Sequence, residues 1–171
     1  MIISIVGSVC AGKTTLAEGL ERELGLPVYP IGHFRNQLRD EVEAWLAFGE
    51  LLRGYDRPAA SWADCVIVVS TGLNLWYRDV TTDIVNMLTI KLVAPKEVLL
   101  ARAEGRSEED DGYFPYEITR PQFIEKAQPV IPSLEADLAI DTAAHSKEET
   151  LKLALEFIQG HLGLAEGTDD Q

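Results

Sequence analysis

The sequence predicts an α/β fold: a five-stranded, all-parallel, doubly wound sheet in three layers. Short β-branched runs without polar alternation recur along the chain, as strands buried on both faces require. Between them lie longer stretches with apolar residues at helical spacing, so strand and helix alternate. The 171 residues, 46% hydrophobic and 25% charged, suit a single compact core.

Ile2, Ile3, Ile5 and Val6 form the first strand, ended by Gly7. Lys13 to Leu24 carries Leu16, Leu20 and Leu24 on one side, with Gly25 as the stop, and reads as the first helix. Pro27 to Ile31 is a shorter strand, followed by one helix from about His33 to Leu52, with Leu38, Val42, Trp45, Leu46 and Phe48 on its apolar side. Gly54 to Ala60 breaks it. Cys65 to Val69 is a central strand closed by Thr71-Gly72. A helix from about Trp76 to Asn86, a strand from Leu88 to Val93 and a helix from about Pro95 to Glu104 continue the alternation. Ala136 to Ile140 is the last strand, and Ser146 to His161 the last helix, with Ser146 and Glu149 spaced as a capping box. Arg106 to Arg120 is too polar and broken for a core element, and its length favours a functional loop. The expected organisation is one domain over 1–163, with a frayed acidic tail at 164–171.

Charge and composition exclude several classes. Lys and Arg number 15 against 28 Asp and Glu, a net charge of −13 that repels a nucleic-acid backbone. No apolar run approaches the roughly 18 residues of a membrane span. No basic segment precedes the first apolar run, so a cytoplasmic location is expected. The two cysteines, Cys10 and Cys65, are too few for a disulfide framework or a zinc site and read as free thiols.

Gly7-Ser8-Val9-Cys10-Ala11-Gly12-Lys13-Thr14 matches G-x-x-x-x-G-K-[ST] between a predicted strand and a predicted helix. Glycines at 7 and 12 let the loop turn its N–H groups inward around a phosphate, and the following helix N-terminus adds its dipole. Lys13 is placed to reach the β- and γ-phosphates, and Thr14, followed by Thr15, presents a hydroxyl to Mg²⁺. The motif predicts a nucleoside triphosphate with magnesium as cofactors. Neither a strand-terminal Asp-x-x-Gly nor an Asn-Lys-x-Asp occurs, which sets aside the GTP switches, and the chain is too short for a motor or transporter ATPase.

Further residues after successive strands carry a family likeness. Ile31-Gly32-His33-Phe34-Arg35 follows the second strand; Ser70-Thr71-Gly72-Leu73-Asn74, with Arg78, follows the third. Arg102 and Arg106 stand one turn apart before the polar loop, and Ala136 to Thr142 ends the last strand. With the Gly-rich loop, these resemble the adenylate-kinase-like group of P-loop kinases, the nucleoside-monophosphate and small-metabolite kinases, over nearly the whole chain. The resemblance implies a P-loop kinase fold with a lid at about 106–120 and an acceptor segment at about 32–62. It implies ATP and Mg²⁺ as cofactors, Lys13, Arg102 and Arg106 as catalytic residues, and His33, Arg35, Arg78 and Arg120 around a small phosphate acceptor. The expected partner is that small molecule alone, with no nucleic acid or membrane, on a monomer or homodimer.

The pattern also departs from the family. The Arg35 turn is one residue short, His33 stands where nucleotide kinases carry Asp, and Ser70-Thr71 replaces an Asp that holds Mg²⁺ through water. The aromatics Trp45, Phe48, Tyr55 and Trp62 in the acceptor segment either stack a base or fill the core. The expected activity is γ-phosphoryl transfer from ATP to a nucleoside monophosphate. The alternative is transfer to a metabolite or antibiotic hydroxyl, as in shikimate- and gluconate-kinase-like relatives, and a third reading is a non-catalytic ATP-binding module.

Overall fold

The computed structural model describes residues 1–106 and 118–163, so most of the expected lid, 107–117, and the tail, 164–171, lie outside the described residues. The strands are β1 (Ile2–Gly7), β2 (Val28–Pro30), β3 (Val66–Val69), β4 (Met87–Val93) and β5 (Leu138–Asp141). The helices are α1 (Lys13–Leu24), α2 (Ile31–Leu38), α3 (Glu41–Tyr55), α4 (Leu75–Thr81), α5 (Lys96–Glu104), α6 (Arg120–Ala127) and α7 (Lys147–Leu162). The five strands form one sheet in the order β2-β3-β1-β4-β5, and every pairing is parallel.

β1 is central, and all six of its residues are buried. Ile3 and Ile5, with Ile67, Val69, Ile90 and Leu92, pack beneath Leu16 and Leu20 of α1, Leu99 of α5 and Ile158 of α7. On the opposite face, Ile2, Val66 and Val68 pack beneath Ile31 of α2 and Ala44, Trp45, Phe48 and Leu52 of α3. A third cluster, Phe123, Ala127 and Ile131, seats α6 against Val9, Leu73 and Val93 at the carboxyl end of the sheet. Among the described residues no helix is long and apolar enough to cross a membrane.

Two predicted helices differ, and one helix is additional. The single helix expected from His33 to Leu52 is two helices, α2 and α3. Arg39 takes a left-handed conformation (φ 53°), and the Asp40 carboxylate then accepts from Glu43 N at 2.9 Å, capping a new helix. The expected apolar side does not survive the break: Leu38, Val42 and Leu46 are exposed, while Ile31, Trp45 and Phe48 pack on the sheet. The helix expected to reach Asn86 ends at Thr81, where the hydroxyls of Thr81 and Thr82 bond back to Tyr77 O (2.8 Å) and Arg78 O (2.7 Å). Helix α6 was not predicted. Its signal was present: Thr119 and Gln122 form a capping box with Pro121 in the first turn. The capping box predicted at Ser146 and Glu149 is formed, with bonds of 3.1 and 2.7 Å.

At the amino end of the sheet, Asp56 joins α3 to the loop before β4. Its Oδ1 accepts from Val85 N (3.1 Å), Asn86 N (2.7 Å) and Asn86 Nδ2 (3.0 Å), and Asn86 O in turn accepts from Ile2 N (2.9 Å). These donors hold the Asp56 carboxyl below its usual pKa of 3.8, so its stabilising effect is present above that pH and is lost as pH falls through the lower folded value. Asp56→Ala should therefore lower the unfolding midpoint at pH 7. The gap between variant and parent should close as the solution is acidified below pH 3.8 in thermal denaturation series.

Candidate active site

The parallel register brings three loops out of one edge of the sheet. Pro30 at the end of β2 pairs with Val69 at the end of β3, and Val69 lies in register with Ile5 of β1. The loops after β2, β3 and β1 therefore emerge side by side, the position where ligands bind in open α/β sheets.

The loop after β1 is the Gly-rich segment. A Cβ on Gly7 would stand 2.4 Å from Leu92 O, and Gly7 has φ 145°, so only glycine fits so close to β4. Gly12 (φ 96°) precedes α1 without any side-chain cap, which leaves the first N–H groups of the helix for a ligand. Cys10, inside the loop, also takes a left-handed conformation (φ 62°). Lys13 folds over the loop, its Nζ donating to Gly7 O (2.9 Å) and Ser8 O (2.6 Å). Ser8 Oγ is buried without a hydrogen-bond partner. Thr14 and Thr15 are exposed in the first turn of α1.

Beside this loop lies a cavity of about 350 Å³ lined by Cys10, Gly12, Thr15, Arg102, Arg106 and Thr142, among others. His145 and Lys147 also line it, so Arg102, Arg106 and Lys147 gather three cationic side chains around one cavity on a chain of net charge −13. Arg102 was expected to close over transferring phosphates. Its guanidinium instead braces the cavity wall: Nη1 donates to Cys10 O (3.3 Å) and Thr142 Oγ1 (2.9 Å), and Nη2 to Thr142 O (2.7 Å). Thr142 Oγ1 donates to Ala11 O (3.1 Å), so the loop after β5 is tied to the Gly-rich loop at two points. Arg106 lines the same cavity and is exposed. Thr142 lay in the segment at the end of the last strand that carried the family likeness, whereas His145 and Lys147 carried no sequence signal of their own.

The loop after β3 is held against the Gly-rich loop. Gly7 N donates to Thr71 O (3.3 Å), and Gly72 N donates to Ser70 Oγ (3.1 Å). Gly72 has φ 72° and turns so closely over Val6 that a Cβ would meet its side chain at 3.0 Å.

In the loop and helix after β2, the sequence-predicted residues divide. His33 is exposed, and its ring stands edge-on to Phe34 (5.7 Å) and Tyr29 (6.4 Å). Arg35, expected to hold an acceptor phosphate, turns inward instead. Its side chain is 8% exposed; Nε and Nη2 fork onto Glu41 Oε2 and Oε1 at 2.8 and 2.6 Å, and the guanidinium lies 5.6 Å from the centre of the Trp45 ring. Trp45 and Phe48 are fully buried and belong to the core, which removes them from any base-stacking role.

Arg78 is exposed on α4 and lines a separate groove of about 440 Å³ with Asn74, Tyr77, Thr89 and Glu135, a groove to which the Gly-rich loop does not contribute. Within it the Tyr77 hydroxyl bonds Ser4 Oγ at 3.0 Å, and burial raises its pKa. Arg120 is half-buried in the first turn of α6, beyond the undescribed segment.

Neither a family model nor a curated protein sequence matches this chain. Solved structures match over nearly its full length. A sugar kinase from Janibacter superposes with a TM-score of 0.68 at 20% identity, covering 97% of this chain and 98% of its own. The shikimate kinase of Acinetobacter baumannii, solved with shikimate, gives 0.64 at 18% identity and covers 94% and 93%. A gluconokinase from Sinorhizobium meliloti gives 0.63 at 19% identity, with the same coverage. At such identities the likeness carries the fold: this chain has the architecture of the P-loop kinases of the adenylate-kinase-like group.

If the Gly-rich loop binds phosphates, Lys13→Ala should raise the Kd for ATP at least about tenfold, the value of one charge-assisted hydrogen bond. The unfolding midpoint should change little, because Lys13 is only half-buried and its ammonium bonds to backbone oxygens of Gly7 and Ser8 rather than filling the core. Isothermal titration and thermal denaturation of the same sample check both.

Proposed function

We propose that the protein is an ATP- and Mg²⁺-dependent phosphotransferase that moves the γ-phosphoryl group to a hydroxyl of a small metabolite. The observation that carries this reading is the division between Arg35 and His33. A monophosphate acceptor needs a cation at its own phosphate, yet the guanidinium expected there is buried and neutralised by Glu41. Among the exposed side chains of the same helix, His33, Asn36, Gln37 and Leu38, the imidazole is the one that can take a proton from a hydroxyl. The nucleoside-monophosphate acceptor expected from the sequence therefore has less support than the hydroxyl acceptor. The neighbouring folds, named as sugar, shikimate and gluconate kinases, point the same way.

In this mechanism the acceptor oxygen attacks the γ-phosphorus in line. The bond to the β–γ bridging oxygen breaks, ADP leaves with its electron pair, and His33 receives the hydroxyl proton. Lys13 and the bare N-terminus of α1 hold the β- and γ-phosphate oxygens, where negative charge must be stabilised. Arg102 and Thr142 keep the donor cavity in shape, and Arg106 supplies a further cation in its lining. Among the described residues no group of three His, Cys, Asp or Glu side chains is arranged to hold a metal ion, and the Ser70 hydroxyl at the end of β3 is engaged by Gly72 N. This donor set fits a Mg²⁺ that arrives with the nucleotide and takes its ligands from phosphates, water and the Thr14 hydroxyl. The ion would neutralise charge on the phosphates.

An imidazole base sets the direction of the pH dependence: turnover should fall as the solution is acidified, because only the neutral imidazole accepts a proton. His33→Asn should lower kcat at least about a hundredfold and abolish this acid limb. Steady-state kinetics against pH, with ATP and a panel of sugars, polyols, hydroxy acids, nucleosides and nucleoside monophosphates, tests the reading. Turnover of a monophosphate with His33→Asn fully active would refute it.

A further inference from the structure

We infer that Arg35, Glu41 and Trp45 form a latch that sets the orientation of α2, and that Glu41 is thereby a positioning residue for the acceptor. The inference rests on the reading that His33 meets the acceptor, and it concerns what holds His33 there.

Helix α2 cannot hold itself. It has eight residues, begins at Pro30 with no side-chain cap, and ends on a non-glycine residue in the left-handed conformation. A helix this short is marginal without tertiary contacts. Its buried residues are Ile31 and Arg35, one turn apart, which face inward together while His33 between them is exposed. Whatever fixes Arg35 therefore fixes the rotation of α2 about its axis and the direction in which His33 points.

Arg35 is fixed by a fork, and a fork has direction. Glu41 Oε2 accepts from Arg35 Nε, while Glu41 Oε1 accepts from both Arg35 Nη2 and Trp45 Nε1, the last at 2.8 Å. Glu41 and Trp45 lie one turn apart on α3, so a single helix face presents the carboxylate and the indole together. The indole hydrogen bond orients the carboxylate, and the ring offers its face to the guanidinium at 5.6 Å. Asp40, capping α3 immediately before Glu41, anchors the helix that carries the latch. A buried ion pair is weak evidence for stability but a strong constraint on geometry, because few arrangements satisfy all its donors.

Glu41→Gln tests this, since the amide keeps the shape but cannot accept both arms of the fork. Hydrogen exchange of the amides at 31–38 should accelerate at least about tenfold, while those of β1 and β4 keep their rates. For whichever hydroxyl acceptor the unmodified enzyme turns over, KM should rise at least about tenfold while KM for ATP stays within about twofold. Trp45→Phe, which removes the indole donor together with part of a buried ring but leaves the Arg35–Glu41 fork, should give the same pattern in smaller measure and serves if the glutamine variant does not fold. Unchanged exchange at 31–38, or donor and acceptor KM rising together, would overturn the latch. The exchange arm needs no acceptor, so it decides the latch even if the acceptor panel shows no turnover and the phosphotransferase reading fails.

Discussion

Everything at the site depends on the close approach of Gly7 to β4. The backbone passes Leu92 O with no room for a side chain, so the chain turns out of the central strand directly into a loop that points back over the sheet edge. From that turn follow the bare N-terminus of α1, the position of Lys13 and the contact between Gly7 and Thr71 that draws the β3 loop alongside. Burial of β1 between two parallel neighbours makes the turn rigid, because no strand residue there can shift without opening the core.

The electrostatics follow the same plan. A chain of net charge −13 would repel a triphosphate unless its cations were gathered where the phosphates arrive. Arg102, Arg106 and Lys147 line the cavity beside the Gly-rich loop, the site proposed for the nucleotide, and Lys13 stands in that loop. The acceptor side contrasts with this, since its nearest buried guanidinium is cancelled by a carboxylate on the adjacent helix. Such a division of charge suits a donor that brings phosphates and an acceptor that brings none.

The Gly-rich loop was legible because its constraints are local: two glycines for backbone geometry, a lysine and a threonine at fixed spacing, and a strand and helix on either side. The alternation of buried strands was legible for the same reason. Arg35 was misread because its partner became visible only once the helix boundary was known. Glu41 is six residues away, and in one continuous helix those two side chains would leave on different faces. Only the left-handed Arg39 and the Asp40 cap, which divide the segment into α2 and α3, bring them together. The continuing apolar pattern concealed that break. Arg102 was expected to be a catalytic residue before the lid, but its partners are Cys10 and Thr142, a closure across the fold that no local pattern records.

The central claim is that the transferred phosphoryl group ends on a hydroxyl. Phosphorus NMR of the purified protein with ATP, Mg²⁺ and the acceptor panel reads this directly, because a phosphate ester and a phosphoanhydride resonate in different regions. The account predicts a new phosphomonoester signal that grows as the γ-phosphate of ATP disappears and ADP accumulates. A new phosphoanhydride signal on a nucleoside monophosphate would contradict it.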